Sequence, residues 1–483
     1  MQNRPICGRK RELKRFHDIR TADEPAFVAV YGRRRVGKTF LVRQAFHDTL
    51  VFELTGMRDG TLTEQLANFT LALSRASAGA FPVEGVPASW QAAFRELSQW
   101  CETLPRNQKY VLFFDEFPWL ASPRSRFLQA LDHFWNAWGT RQNNLILVVC
   151  GSAASWMIRR VVHDRGGLHN RVTHRVRLLP FDLAESREFL QSRRVRLTDF
   201  QIIELCMALG GVPLYLEQAQ PGESAAQVID RVCFAEDGLL HDEFSQLYPA
   251  LFDSPERHIA IVRALASKSC GLTRNDLAAA TGQPTSGRLT AILEELVESG
   301  FVCRREPYGR RVKDTLFRLS DEYSLFYLRW IEKWRGDPSG GWLKVRGTPR
   351  WRAWSGLAFE SLCLKHVGRI KAALGIAGVS TDVAAWRYAP TDGGDEGAQI
   401  DLLIDRADAC INLCEMKFSE AEFVIDRPYA RRLRERRETF RRVTGTTKNV
   451  FLTFVTTHGV KSNPAALELV DSQVSMEALF APE

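Results

Sequence analysis

No two cysteines in this 483-residue chain have the C-x-x-C spacing, which excludes the commonest zinc and redox signatures. The closest pair among its ten cysteines, Cys410 and Cys414, stands four residues apart on a segment that reads as a strand. That spacing is too long for two ligands of one zinc ion, and reduced thiols of a cytosolic protein are expected. No stretch approaches roughly 18 consecutive apolar residues, so no membrane-spanning helix is expected. The opening residues, MQNRPICGRKREL, lack the apolar core of a secretory signal, and a cytoplasmic location follows as the expectation. The remaining composition is that of ordinary globular protein, with 45% hydrophobic and 25% charged residues. The length corresponds to about three domains.

Charge is the first positive signal. The net charge of +8 favours a polyanionic partner. It is also unevenly placed: residues 427–442, RPYARRLRERRETFRR, hold eight Arg against two Glu. Such a run is either a solvated helix face or a track for a nucleic-acid backbone.

The sharpest motif lies near the N-terminus. The stretch AFVAVYGRRRVGKTFLVRQAF runs from apolar strand through loop to helix. Within it Gly32, Arg33, Arg34, Arg35, Val36, Gly37, Lys38 and Thr39 spell G-x-x-x-x-G-K-T. The glycines let backbone N–H groups turn towards phosphates, Lys38 reaches the terminal phosphates, and Thr39 offers a hydroxyl to Mg²⁺. The helix that follows aims its positive N-terminus at the same anions. A second apolar run, KYVLFFDEFPWL, ends in Asp115 and Glu116. Asp115 is expected to hold Mg²⁺ through water and Glu116 to polarise the attacking water. A third, NNLILVVCGSAASW, ends at Ser152, either a sensor of the γ-phosphate or an ordinary helix cap.

In the middle of the chain, PERHIAIVRALASK has the three-and-four spacing of an amphipathic helix. LTRNDLAAATG follows, with Thr273 as cap and Gly282 as stop, and TSGRLTAILEELVESG makes a third helix. FVCRREPYGRRVKDTLFRLSD then reads as two strands, with Arg304, Arg305, Arg310, Arg311 and Lys313 on the hairpin. Three helices and a hairpin is the winged-helix order. Glu294, Glu295 and Glu298 on the third helix oppose reading of the major groove. RGDPSGGW marks a linker.

Near the C-terminus, GAQIDLLIDRADACINLCEMKF reads as two strands joined by RADA. Residues two apart on a strand share a face, so Ile411, Leu413, Glu415 and Lys417 project to one side. Folding the stretch about Asp408 sets Asp401 opposite Glu415. Directly opposed carboxylates repel, so the pair calls for a cation or a functional reason. A solvated hairpin with an ordinary Glu–Lys pair is the alternative.

The P-loop, Asp115–Glu116, the strand ending at Ser152, CGRKREL at 7–13 and LGGVPLYLEQ at 209–218 together resemble the archaeal-type ATPase family of the AAA+ and signalling-NTPase group. The resemblance covers roughly residues 1–235. It implies an adenine site near Cys7–Glu12, a lid near Gly210–Pro213, and an arginine finger at Arg171 with Arg165 and Arg175 as rivals. A finger acting between subunits implies a homo-oligomer. A surface ion pair is the alternative for all three arginines. The helix SGLAFESLCLKHV, the acidic hairpin, the Arg-rich helix and the strand KNVFLTFVTTHG further resemble, over residues 345–483, the PD-(D/E)XK restriction-endonuclease-like domain. Its motif maps onto Glu360, Asp401, Glu415 and Lys417, although Ile400 stands where the motif has Pro. That resemblance implies Mg²⁺ at Asp401 and Glu415, assisted by Glu360, with Lys417 orienting a water or neutralising the phosphorane.

The expectation is therefore an α/β protein of three parts. These are a P-loop AAA+ type ATPase domain with helical lid at 1–235, a winged-helix domain at 236–338, and a restriction-endonuclease-like domain at 345–483. Its cofactors are ATP and Mg²⁺, and its expected partner is DNA or RNA. The expected function is ATP hydrolysis coupled to metal-dependent action on nucleic acid. The alternative is an ATP-dependent switch that binds DNA or a protein partner without cleavage.

Overall fold

The run AFVAVY forms strand β1 (Ala26–Tyr31), and all six residues are buried. Continuous rather than alternating burial is what a parallel sheet covered on both faces requires. The same holds for β3 (Tyr110–Asp115) and β4 (Leu145–Gly151). With β2 (Leu50–Thr55) and β5 (His174–Arg177) they form a parallel sheet in the order β2-β3-β4-β1-β5. One face packs on an aromatic core around Trp90, Phe94, Phe114, Phe127 and Trp135. The other packs on Phe16, Val36, Leu41 and Phe46, from the helix Lys10–Thr21 and the P-loop segment. Because every strand runs the same way, the C-terminal ends of β1, β4 and β3 lie side by side. Open parallel sheets place their ligand crevice along that edge.

This computed structural model describes residues 6–82, 85–152, 154–157, 160–161, 170–268, 270–309, 314–334, 341–388 and 397–482. The chain divides into two compact units, Met1–Leu179 with Leu247–Pro255, and Pro180–Gln246 with Glu256–Glu483. The helices after residue 179, expected to belong with the ATPase domain up to residue 235, therefore build into the second unit. The reason is their composition. In the helix Asp199–Leu209 every residue from Ile202 to Leu209 is buried, so it needs partners all round. It packs on the helices Ala225–Cys233, Glu322–Phe326 and Pro349–Lys365. Its buried Glu204 is paired with Arg346 at 2.7 Å.

Also in the second unit, three helices (Pro255–Ala266, Arg274–Thr281, Gly287–Glu298) precede β7 (Val302–Arg305) and β8 (Leu316–Leu319). With the short β6 (Leu272–Thr273) these strands form an antiparallel sheet ordered β6-β8-β7. Thr273 caps its helix in a reciprocal box with Asp276, and Gly282 ends it at φ 65°, as the sequence predicts. Glu295 does not join the acidic surface expected of the third helix. It is buried against His258 at 2.8 Å.

The last sheet holds β9 (Thr381–Tyr388), β10 (Ala398–Arg406), β11 (Cys410–Lys417), β12 (Asn449–Thr456) and β13 (Ser472–Ser475), in the order β13-β12-β11-β10-β9. β10 and β11 form the predicted hairpin, with Leu402 facing Cys414 and Asp405 facing Ile411. The Arg-rich segment is a helix, Arg427–Thr444, whose Ala430, Leu433 and Phe440 are buried in the core beneath β11. Among the described residues no helix is long and apolar enough to cross a membrane.

Candidate functional site

Two clusters of chemistry-bearing residues are built, one in each unit. In the first, the P-loop joins β1 to the helix Lys38–Ala45. Gly32 has φ 151°, and a Cβ there would lie 2.2 Å from the carbonyl oxygen of Leu178. Only glycine fits so close an approach. Gly37, at φ 87°, turns the chain into the helix. Lys38 folds back over the loop, and its Nζ donates to the carbonyls of Gly32 at 3.1 Å and Arg33 at 2.9 Å. Burial holds its ammonium below the usual lysine range. Arg33 and Val36 are buried beneath the loop, whereas Arg34 and Arg35 line its mouth.

Thr39 Oγ1 donates to Asp115 Oδ2 at 2.8 Å, joining residues 76 positions apart. The other oxygen of Asp115 accepts the N–H of Glu116 at 2.9 Å. Glu116 sits at φ 44°, ψ 44°, a left-handed conformation uncommon for a residue with a side chain. Its Oε2 accepts the hydroxyl of Ser152 at 2.8 Å. Lys38, Thr39, Glu116 and Ser152 share a cavity of about 710 Å³ with Arg34 and Arg35. Its size falls within the usual range of small-molecule sites, about 300–1,000 Å³. The glycine cradle and the Thr39–Asp115 pair fit a nucleotide with Mg²⁺, the ion taking a hydroxyl and a carboxylate while keeping waters. The segment Cys7–Glu12 touches this loop through Arg9, whose Nη2 donates to the carbonyl of Val36 at 3.2 Å.

The expected arginine fingers fare differently. Arg171 lies 3.7 Å from Asp132 in an exposed ion pair and is not among the described residues lining the cavity. Arg175 sits on β5. Arg165 lies outside the described residues, as do Arg310, Arg311 and Lys313 of the hairpin. Gly210–Pro213 belongs to the second unit.

In the second unit, the hairpin register continued by one position sets Asp401 opposite Glu415. The pairing of β10 with β9 slips between Ile400 and Leu403, placing an irregularity at Asp401. Such bulges re-aim a side chain. Glu360 enters from the helix Pro349–Lys365, and Lys417 ends β11. All four residues of the expected motif are thus brought together.

Their surroundings contain more than the sequence alone suggests. Arg318, on β8 and 8% exposed, places Nη2 3.8 Å from Glu360 and Nη1 4.0 Å from Asp401, and donates to Ser361 Oγ at 3.2 Å. Glu415 accepts the hydroxyl of Tyr429 at 2.8 Å, contacts the Arg436 guanidinium, and lies 3.5 Å from Lys417 Nζ. Gln399 donates to Asp401 at 2.7 Å. Burial, then the charge of Asp401, pushes the Glu360 carboxyl up to about 7. Burial holds the Lys417 ammonium below its usual range.

The counter-charge that the opposed carboxylates call for is therefore present, as side-chain cations. Among the described residues no three His, Cys, Asp or Glu groups converge as ligands of one ion. The hard oxygen donors suit Mg²⁺, yet with Arg318 and Arg436 against them the residues as arranged do not fit one. Arg436 was legible in principle. Tyr429, Leu433, Arg436 and Phe440 recur at i, i+4, i+7 and i+11, the inward stripe of the helix. Arg318 carried a weaker signal, a lone charge between Phe317 and Leu319. Arg305 of the hairpin also turns inward, donating to the carbonyl of Leu364 at 2.8 Å.

Residues 7–219 match a family described as an ATPase domain predominantly from Archaea. An uncharacterized protein of Methanocaldococcus jannaschii is 23% identical over 330 residues, covering 68% of this chain and 69% of that protein. Among solved structures, similarity extends to the Walker-type ATPase PABY2304 of Pyrococcus abyssi, at 20% identity and a TM-score of 0.49, over 67% of this chain and 96% of that one. It extends also to the ORC2 protein of Aeropyrum pernix in its ADPNP–ADP complexes, at 15% identity and a TM-score of 0.42, over 69% and 96%.

Proposed function

We propose that the chain binds and hydrolyses ATP in its first unit, and that this cycle governs a nuclease-like domain acting on nucleic acid in its second. The ATPase half rests on the built cavity. Lys38 would meet the terminal phosphates, Thr39 and Asp115 would hold Mg²⁺, and Glu116, fixed by Ser152, would orient the attacking water. Bound Mg²⁺ supplies charge neutralisation for phosphoryl transfer.

The nuclease-like half rests on one observation: Glu360, Asp401, Glu415 and Lys417 converge from a helix and two strands at the bulge in β10. A mixed five-stranded sheet with flanking helices supports the restriction-endonuclease-like reading of residues 345–483. Three helices followed by a small antiparallel sheet support the winged-helix reading of 236–338. Nucleic acid is the partner that suits the net charge and the exposed Arg431, Arg432, Arg441 and Arg442 of the Arg-rich helix.

One observation favours the second reading, a switch that binds without cutting. Each carboxylate of the cluster already has a cationic neighbour. The two readings separate on incubating the full chain with labelled single- and double-stranded DNA and RNA, with and without ATP and Mg²⁺. Cleavage that requires Mg²⁺ and is lost in Asp401→Ala supports the nuclease. ATP-dependent binding with every strand left intact supports the switch.

A further inference from the structure

The cations at the P-loop cavity differ in how the protein holds them. Arg34, Arg35, Lys38 and Arg43 line it together with Glu116 and Ser152. Arg43 is paired with Glu53 of β2 at 2.6 Å. Lys38 donates to the carbonyls of Gly32 and Arg33. Arg35, half-buried at φ 70°, is engaged with other parts of the protein. Arg34 is exposed and, among the described residues, has neither a hydrogen bond nor an ion pair.

The carboxylates of the site are turned elsewhere. Asp115 accepts from Thr39 and from the N–H of Glu116, and Glu116 accepts from Ser152. Arg34 thus stands beside a second cation with no anion of its own. Burial, and to a lesser degree the charge of Arg34, hold the Lys38 ammonium down. Two like charges in one cavity repel, and the arrangement becomes favourable once an anion enters. Place matters as much as charge. Arg34 follows Gly32 by two residues, on the loop whose N–H groups turn towards phosphates. Arg171, the finger implied by the resemblance, is instead held by Asp132 and is not among the described residues lining the cavity. A guanidinium at the mouth also stands where an arginine from another chain would have to enter.

We propose that Arg34 is the arginine finger of the ATP cycle, supplied in cis by the P-loop itself. In hydrolysis, water adds to the γ-phosphorus and the bond to the β,γ-bridging oxygen breaks, giving ADP, inorganic phosphate and one proton. As that bond breaks, negative charge is spread over the γ-phosphoryl oxygens and the leaving oxygen. The Arg34 guanidinium neutralises this charge, while Glu116 receives or orients the water's proton. The inference rests on the ATPase reading of the first unit.

Arg34→Ala in the full chain tests it. The side chain is exposed, and ATP binding reports in the same sample that the cavity has formed. ATP should bind about as in the parent, whereas single-turnover hydrolysis at saturating Mg²⁺-ATP should fall by about 10³–10⁵-fold. ADP with aluminium fluoride, a mimic of the transferring phosphoryl group, should bind the parent more tightly than ADP alone, and this preference should vanish in Arg34→Ala. Mixing Arg34→Ala with Lys38→Ala should restore nothing, because both side chains must meet one nucleotide from one chain. Hydrolysis within about tenfold of the parent, a loss confined to ATP affinity, or an undiminished aluminium fluoride preference overturns the finger and leaves the ATPase reading standing. Recovery on mixing overturns its action in cis. A parent protein that does not hydrolyse ATP overturns the two together.

Discussion

Acidification should loosen the second unit at a single imidazole, His366. This residue ends the helix that carries Glu360 and is buried. Its Nδ1 lies 2.8 Å from the carbonyl of Leu362, and its Nε2 lies 3.2 Å from the N–H of Leu183. The first contact needs a proton on Nδ1 and the second needs a bare Nε2, so the neutral tautomer satisfies both. Protonation would turn Nε2 into a donor facing a donor, and would bury a charge near Arg369 and Lys365. Burial is the main cause that brings His366 from its ordinary 6.5 down to about 4. A depressed folded value means that the unfolded chain binds the proton first. The contribution is whole above pH 6.5 and is lost as pH falls to about 4. About two and a half pH units at about 1.36 kcal/mol each give roughly 3 kcal/mol. The check is urea unfolding of the parent and His366→Gln between pH 7.5 and 4.5, with the imidazole titrated directly by NMR. Gln can donate to Leu362 and accept from Leu183 without titrating, so the two proteins should diverge in stability as pH rises. An imidazole that titrates near 6.5 in the folded protein refutes the reasoning, as do parallel stability curves.

Two further outcomes follow from the sites. If Arg171 serves a neighbouring subunit's nucleotide, Lys38→Ala and Arg171→Ala proteins should each be nearly inactive in ATP hydrolysis, and mixing them should restore part of the activity. Turnover per chain should then rise with protein concentration; concentration-independent turnover with no recovery confines Arg171 to its pair with Asp132. Neutralising the exposed Arg431, Arg432, Arg441 and Arg442 should weaken nucleic-acid binding across sequences, and reduce the salt slope by about 0.7–0.9 for each phosphate that no longer meets a guanidinium. Unchanged affinity and slope in a filter-binding titration mark the run as a solvated face.

What is legible in the chain divides by range. The P-loop and Asp115–Glu116 were legible because each is contiguous and each needs its own local backbone, a glycine cradle and a strand end. The opposition of Asp401 and Glu415 was legible because a hairpin is local, and locating its turn at Asp408 determines every pair. Arg318 was not, since nothing near β8 in the sequence says which helix or hairpin it will meet. Arg436 was hidden by its neighbours: in a run of eight arginines, only the helical period separates the one turned inward from those facing water. Motif order carries the ATPase domain to residue 235. How its last helices pack was not legible, because that depends on burial partners such as Glu204 with Arg346, 142 residues apart.

The role proposed for Glu116, activating water where Lys38, Thr39 and Asp115 hold the nucleotide, is central to the ATP cycle. Single-turnover hydrolysis of Mg²⁺-ATP by Glu116→Gln measures it most directly, with ATP affinity determined in parallel. The substitution removes the acceptor that takes or orients the water's proton and leaves Lys38, Thr39 and Asp115 in place. ATP should therefore bind as in the parent while hydrolysis falls by about 10²–10⁴-fold. Hydrolysis at the parent rate in Glu116→Gln, with ATP bound, would contradict the account.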